Sequence, residues 1–187
     1  MITSVVATKS ESKEPPDPGR ALDLDDEALL RQCRVETTRG TGPGGQHRNK
    51  TDSGVRLHHL PTGCVGQAFE RRSQRQNRDQ AIARLRQAIA IEQRRAVELT
   101  AYRPRPALSA LLPGHPGGTV GPGNARYWAG VQELLDLFAA LDCSVGDTAA
   151  RLGLSTGALS RLLLGAPELM TAVNAMRAAR GLHPLRR

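Results

Sequence analysis

Gly42-Pro43-Gly44-Gly45-Gln46-His47-Arg48-Asn49-Lys50-Thr51 is the stretch from which the fold of this chain can be read. Residues 40–45 hold four glycines and a proline, so no regular element runs through them. On either side the pattern changes. Cys33 to Thr38 reads as a strand. Ser53 to His59 sets Val55, Leu57 and His59 against Gly54, Arg56 and His58, the period of a half-buried strand. Leu60-Pro61-Thr62-Gly63 is a turn, and Cys64 to Phe69 reads as the returning strand, so 53–69 forms a hairpin. From Ser73 the pattern becomes helical. Ile82, Leu85 and Ile89, then Ala96 and Leu99, fall on one face with arginines opposite, and Pro104 and Pro106 end the run.

Charge singles out the same region. Residues 31–106 hold 16 basic and 6 acidic residues, whereas residues 1–30 hold 3 basic and 7 acidic, and 124–187 hold 7 and 5. The excess that gives the chain its net +8 therefore sits on the glycine-rich segment and its neighbours. Such a surface attracts polyanions by releasing their counterions. Arg71, Arg72, Arg75 and Arg78 cluster at the start of the basic helix and read as phosphate contacts. Arg84, Arg86, Arg94 and Arg95, further along, fit either RNA contact or a solvated helix face. Phe, Trp and Tyr make up 3% of the chain, too few for a base-stacking platform.

Other chemistries find little support. Cys33, Cys64 and Cys143 match no zinc spacing, and three thiols cannot all pair. No metal or cofactor is expected. No Ser-His-Asp or Cys-His set is evident, and His58 and His59 read as strand residues rather than acid–base groups. Met1 to Ser10 lacks the apolar core of a secretory signal, and no apolar run approaches a membrane span. The expected compartment is the cytoplasm, with no membrane partner.

The pattern running from Gly-Gly-Gln through Arg48-Asn49-Lys50, Ser53, Val55 to His59 and Leu60 to Gly63, then Glu70-Arg71-Arg72-Ser73-Gln74, resembles the catalytic domain of class I peptide chain release factors and their short rescue-type relatives. The resemblance covers roughly residues 34–99. It implies hydrolysis of the ester that joins a nascent peptide to tRNA in the ribosomal P site. The backbone N–H of Gln46 would stabilise the tetrahedral oxyanion, a kind of donor whose loss typically costs ~2.7–4 kcal/mol. Gly44 and Gly45 would let the backbone pass close to RNA, where a side chain would collide. Arg48, Asn49 and Lys50 would contact large-subunit rRNA, Lys50 as a point charge toward phosphate. Arg48 is a departure, since the family usually carries valine there. The ribosome and the terminal hydroxyl of the tRNA would supply the rest of the site. A glutamine N-methyltransferase acting on Gln46 is a further partner the resemblance implies.

The remainder of the chain bears on the subtype. Codon-reading release factors carry Pro-x-Thr or Ser-Pro-Phe in a separate domain; neither tripeptide occurs here, and about 30 residues precede the Gly-Gly-Gln region. The expected activity is codon-independent rescue of stalled ribosomes by a monomer. A non-catalytic RNA- or DNA-binding regulator that keeps the fold is the alternative. A hydrolase of free peptidyl-tRNA is a third reading, disfavoured by the missing acid–base set.

The expected architecture is α+β. Residues 1–24 are a polar, proline-containing segment expected to be disordered, although Asp25 or Asp26 can cap a short helix to Arg34. Residues 25–102 form the Gly-Gly-Gln domain, a small sheet packed by the basic helix. Residues 103–123 are a Pro/Gly-rich linker by composition. Residues 124–187 read as an all-α module. Trp128, Val131, Leu134, Leu135, Phe138 and Leu141 mark its first helix. Ser144 to Asp147 resembles a capping box, and a second helix follows to about Leu152. Gly153 turns the chain, Ser155 caps a third helix, and Pro167 opens a fourth that Gly181 closes. Thr148 to Ser155 followed by Leu159-Ser160-Arg161-Leu162 resembles a helix-turn-helix.

Overall fold

The computed structural model describes residues 18–38, 53–124 and 126–186. A short 3-10 helix, Pro18–Asp23, leads into α1 (Asp26–Arg31). Asp25 caps α1 by accepting a hydrogen bond from the Ala28 N–H at 2.7 Å. Three antiparallel strands follow in the order β1 (Cys33–Thr38), β2 (Gly54–His59), β3 (Val65–Ala68). The β1–β2 register runs from Cys33 opposite His59 to Thr38 opposite Gly54. Residues 39–52 thus join the paired ends of two neighbouring strands. The 60–64 turn closes with the His59 N–H on the Cys64 carbonyl and Gly63 at φ 72°.

Alternation on β2 sorts its residues as expected. Val55, Leu57 and His59 are buried, and Arg56 is exposed. The buried side faces α2 (Gln74–Glu92), capped by the Ser73 hydroxyl, through Ala81, Ile82, Leu85 and Ile89. Helix and sheet meet most closely at Gly66 on β3. A Cβ there would stand 2.2 Å from the Ala81 carbonyl oxygen and 2.6 Å from the Leu85 nitrogen. Only a residue without a side chain admits that approach.

The helical pattern extends past Leu99, but α2 stops at Glu92. Gln93 takes ψ 128°, and the chain turns toward α4 (Tyr127–Ala140). The reason lies far along the sequence. Asp136 of α4, almost fully buried, accepts from the Arg95 N–H at 3.1 Å and pairs with the Arg94 guanidinium at 3.0 Å. Continuing the helix would commit the Arg95 N–H to the helical ladder instead. Glu133, also buried, collects the Tyr102 hydroxyl, the Arg105 N–H and the Arg105 Nε within 3.0 Å.

The segment read as a linker, 103–123, carries α3 (Pro106–Ser109). Leu108 and Leu111 are buried against α4, where Gly130 lets the Ala107 carbonyl approach. Its proline and glycine content conceals these apolar side chains. Beyond α4 come α5 (Val145–Leu152), α6 (Thr156–Leu163) and α7 (Pro167–Ala178). Ser144 and Ser155 cap α5 and α6, and Gly153 between them sits at φ 67°. One apolar cluster runs from Leu57 and Leu85 through Leu108, Leu134 and Phe138 to Leu159 and Val173. The chain is α+β, as its sequence indicates.

Candidate nucleic-acid interface

Gly44, Gly45, Gln46, Arg48, Asn49 and Lys50 lie outside the described residues, as do residues 1–17. What the structure describes is the frame from which the Gly-Gly-Gln segment departs. Thr38 is held by its pairing with Gly54. Ser53, the first described residue after the segment, is buried, and its carbonyl accepts from Asn77 Nδ2 at 2.6 Å.

The four arginines of the first cluster are exposed. Arg71 and Arg72 occupy the turn between β3 and α2, and Arg75 and Arg78 project from the first turns of the helix. Arg75 and Arg78 line a cleft of about 720 Å³ beside Thr37 and Val55, with Asp26, Glu27 and Asp79 also on its walls, so the cleft itself is not a basic pocket and the exposed guanidinium groups at its rim carry the positive charge. Arg71 reaches Ser53 through a single side chain, since Asn77 bonds both. The arginines and the strand ends that carry residues 39–52 therefore share one end of the sheet. The first turn of α2 contains no acid, so the helix presents its positive pole alongside these side chains. The arrangement suits phosphate oxygens.

The second set of arginines has a different use. Arg84 donates to the Gln67 carbonyl and the Glu70 carboxylate, each at 2.7 Å. Arg86 is buried and bridges α2 to the N-terminal elements through Asp26 and the carbonyls of Leu22 and Leu24. Arg94 pairs with Asp136 and caps the Ala90 carbonyl. Arg86 and Arg94 are thus internal ties rather than members of a solvated helix face, whereas Arg84 pairs at the surface with its side chain 40% exposed.

Burial shapes the ionisable groups. It pushes the Asp136 carboxyl up to about 6, against the lowering pull of the Arg95 N–H and of the guanidinium groups of Arg94, Arg95 and Arg105. It raises Tyr102, and the carboxylate of Glu133 adds to the effect. Cys33 is pushed up to about 11 by burial alone, so its thiol stays protonated near neutrality. His59 is held between Thr62 Oγ1 at 2.7 Å and Gln32 Oε1 at 2.9 Å, and burial lowers its pKa. A neutral ring fastened at both nitrogens is a structural tie. His58 stands 3.3 Å from Glu36. Among the described residues no three His, Cys, Asp or Glu side chains gather as a metal site, and no helix is long and apolar enough to cross a membrane.

Asn77 is the residue that sequence reasoning missed. Its partners lie 6 and 24 positions away. No periodicity or capping pattern reports a bond of that span.

Residues 26–107 match the family model described as the RF-1 domain. Over 90 residues the chain is 43% identical to peptide chain release factor 1 of Verminephrobacter eiseniae (strain EF01-2). The aligned part is 47% of this chain, which spans about a quarter of that relative's length (24%).

Proposed function

We propose, from the match of residues 26–107 to the RF-1 domain model and their similarity to a peptide chain release factor 1, that this chain hydrolyses the ester of P-site peptidyl-tRNA on the ribosome, without reading a codon. One observation carries the reading. The Gly-Gly-Gln sequence joins two paired strand ends, and an exposed arginine cluster stands at the same end of the sheet. Arg71, Arg72, Arg75 and Arg78 would grip rRNA or tRNA phosphates, alongside Arg48, Asn49 and Lys50. Gly44 and Gly45 would let the main chain reach the ester. The N–H of Gln46 would meet the oxygen on which negative charge develops as water attacks the carbonyl carbon. That oxygen's charge is stabilised without reorganisation, and the tRNA leaves with its terminal oxygen protonated.

The codon-independent form rests on the sequence, in which neither Pro-x-Thr nor Ser-Pro-Phe occurs. Helix α4 packs on α2, and the Arg94–Asp136 pair ties it to the segment just after α2, so α4 to α7 would enter the ribosome together with the domain. We assign residues 124–187 to ribosome-directed contact with RNA or protein. The chain would act as a cytoplasmic monomer, with methylation of Gln46 by a glutamine N-methyltransferase as an added modification.

The test uses purified ribosomes holding labelled peptidyl-tRNA on a message that ends before any stop codon. Release is expected there, at a rate indifferent to stop-codon identity on longer messages, and not from free peptidyl-tRNA. Release only with a stop codon in the A site would refute codon independence. Ribosome binding with no release under any condition would refute the hydrolytic reading.

A further inference from the structure

We propose that Asn77 is a positioning residue for release, fixing the backbone point at which the Gly-Gly-Gln segment rejoins the sheet. The inference rests on the function proposed above and adds a residue outside the loop itself. Asn77 is fully buried in the first turns of α2. Asparagine is a weak helix former, and a buried amide is costly unless its hydrogen bonds are made. Here they are. Oδ1 accepts from the Arg71 N–H at 2.9 Å, and Nδ2 donates to the carbonyls of Ser53 at 2.6 Å and Arg71 at 2.8 Å.

The three bonds demand an amide. One partner is a donor and needs an oxygen; two are acceptors and need N–H groups. A carboxylate of the same shape would keep the bond from Arg71 but face two carbonyls with negative charge. An apolar side chain would leave all three backbone groups without a partner.

What Asn77 ties together gives the bonds their consequence. Thr38, the last described residue before the Gly-Gly-Gln segment, is held by the β1–β2 ladder. At Ser53, which precedes the first residue of β2, the anchor is Asn77. The same side chain fastens the turn that carries Arg71 and Arg72. A backbone donor delivered to a reacting carbonyl loses effect with displacements of about 1 Å, which can cost ~10²-fold in rate. Fixing Ser53, where the described chain resumes after the segment, is therefore a condition for the chemistry assigned to Gly44, Gly45 and Gln46.

The experiment uses the full chain carrying Asn77→Asp or Asn77→Ala, with Leu85→Ala as a control. Leu85 is buried on the same helix and is remote from Ser53 in sequence. Single-turnover release from stalled ribosomes gives the rate at saturation and the half-saturating concentration. Hydrogen exchange of the free proteins reads the amides of Gly54 and Arg71. Both Asn77 variants are expected to lower the saturated rate at least tenfold, with half-saturation shifted less than threefold. Exchange at Gly54 and Arg71 should rise at least tenfold. Leu85→Ala should melt at a lower temperature yet keep the parental saturated rate. Folded Asn77 variants with parental rates, or a rate loss equal to that of Leu85→Ala, would overturn the inference. A parent chain that releases nothing overturns the function on which this rests. Unchanged exchange at Gly54 and Arg71 overturns the anchoring role itself, whatever the release assay gives.

Discussion

Replacing Gly66 by alanine adds one methyl group where α2 and β3 nearly touch. Ordinarily that change in a strand stabilises by roughly 0.5–1 kcal/mol, because glycine loses more freedom on folding. Here the sign should reverse. The new Cβ would lie 2.2 Å from the Ala81 oxygen, 2.6 Å from the Leu85 nitrogen and 2.7 Å from the Leu85 Cβ. The shortest of these is 0.8 Å inside the 3.0 Å that real Cβ atoms respect. Two of the three are main-chain atoms of α2, so no side-chain rotation relieves the clash, and strand and helix must separate. Overpacking of this kind costs ~1–3 kcal/mol, and with backbone on both sides we expect the upper end, about 3 kcal/mol. For a chain of this size that lowers the melting temperature by roughly 6–12 °C. Gly63→Ala is the companion variant. Gly63 has φ 72° and nothing within 4 Å of the place an added methyl group would take, so its cost is the left-handed backbone alone, ~1–2 kcal/mol. Thermal unfolding followed by circular dichroism should rank parent above Gly63→Ala above Gly66→Ala. A Gly66→Ala protein that melts at or above the parent, or above Gly63→Ala, would refute the packing argument. Because α2 carries Arg75 and Arg78, the same variant should also bind ribosomes less tightly at temperatures where it remains folded.

Arg86→Ala should destabilise the chain by ~2–4 kcal/mol, because it leaves a cavity and removes the partners of the Leu22 and Leu24 carbonyls. Its ion pair contributes little of this, since Asp26 is 62% exposed. Urea denaturation gives the figure, and a loss under about 0.5 kcal/mol would contradict it. Asp136 provides a pH test. Its folded carboxyl is raised from 3.8 to about 6, so between those values the folded chain holds the proton more firmly than the unfolded chain does. Its contribution is full below the lower value and lost as pH rises through the upper, a span on the order of 3 kcal/mol. Asp136→Asn should therefore gain on the parent between about pH 4 and pH 7 in urea midpoints; parallel profiles would contradict the assignment.

Much of the fold is legible in the residues themselves. The β2 alternation, the serines at 73, 144 and 155, Pro167 and the glycines at 153 and 181 act over a few positions, and each lies where its local chemistry puts it. What escapes is set by distant partners. The end of α2 depends on Asp136, more than 40 residues beyond Arg94 and Arg95. Arg86 reads as one more exposed cation until the carbonyls of Leu22 and Leu24 are seen beside it. Leu108 and Leu111 are apolar residues within a Pro/Gly-rich stretch, and only α4 makes a core of them. The candidate site divides in the same way. The chemistry proposed for it falls on Gly44, Gly45 and Gln46, readable as a motif, whereas Asn77 is identifiable only once its three backbone partners are located.

The most direct measurement is single-turnover peptide release from ribosomes stalled without a stop codon, comparing the parent chain with Gly45→Ala at saturating protein. The parent should release peptide, and Gly45→Ala should bind with similar affinity yet release at least ~10²-fold more slowly, the scale of losing one oxyanion donor. Equal release by the two proteins would contradict the assignment of the reaction to the main chain at Gly45 and Gln46.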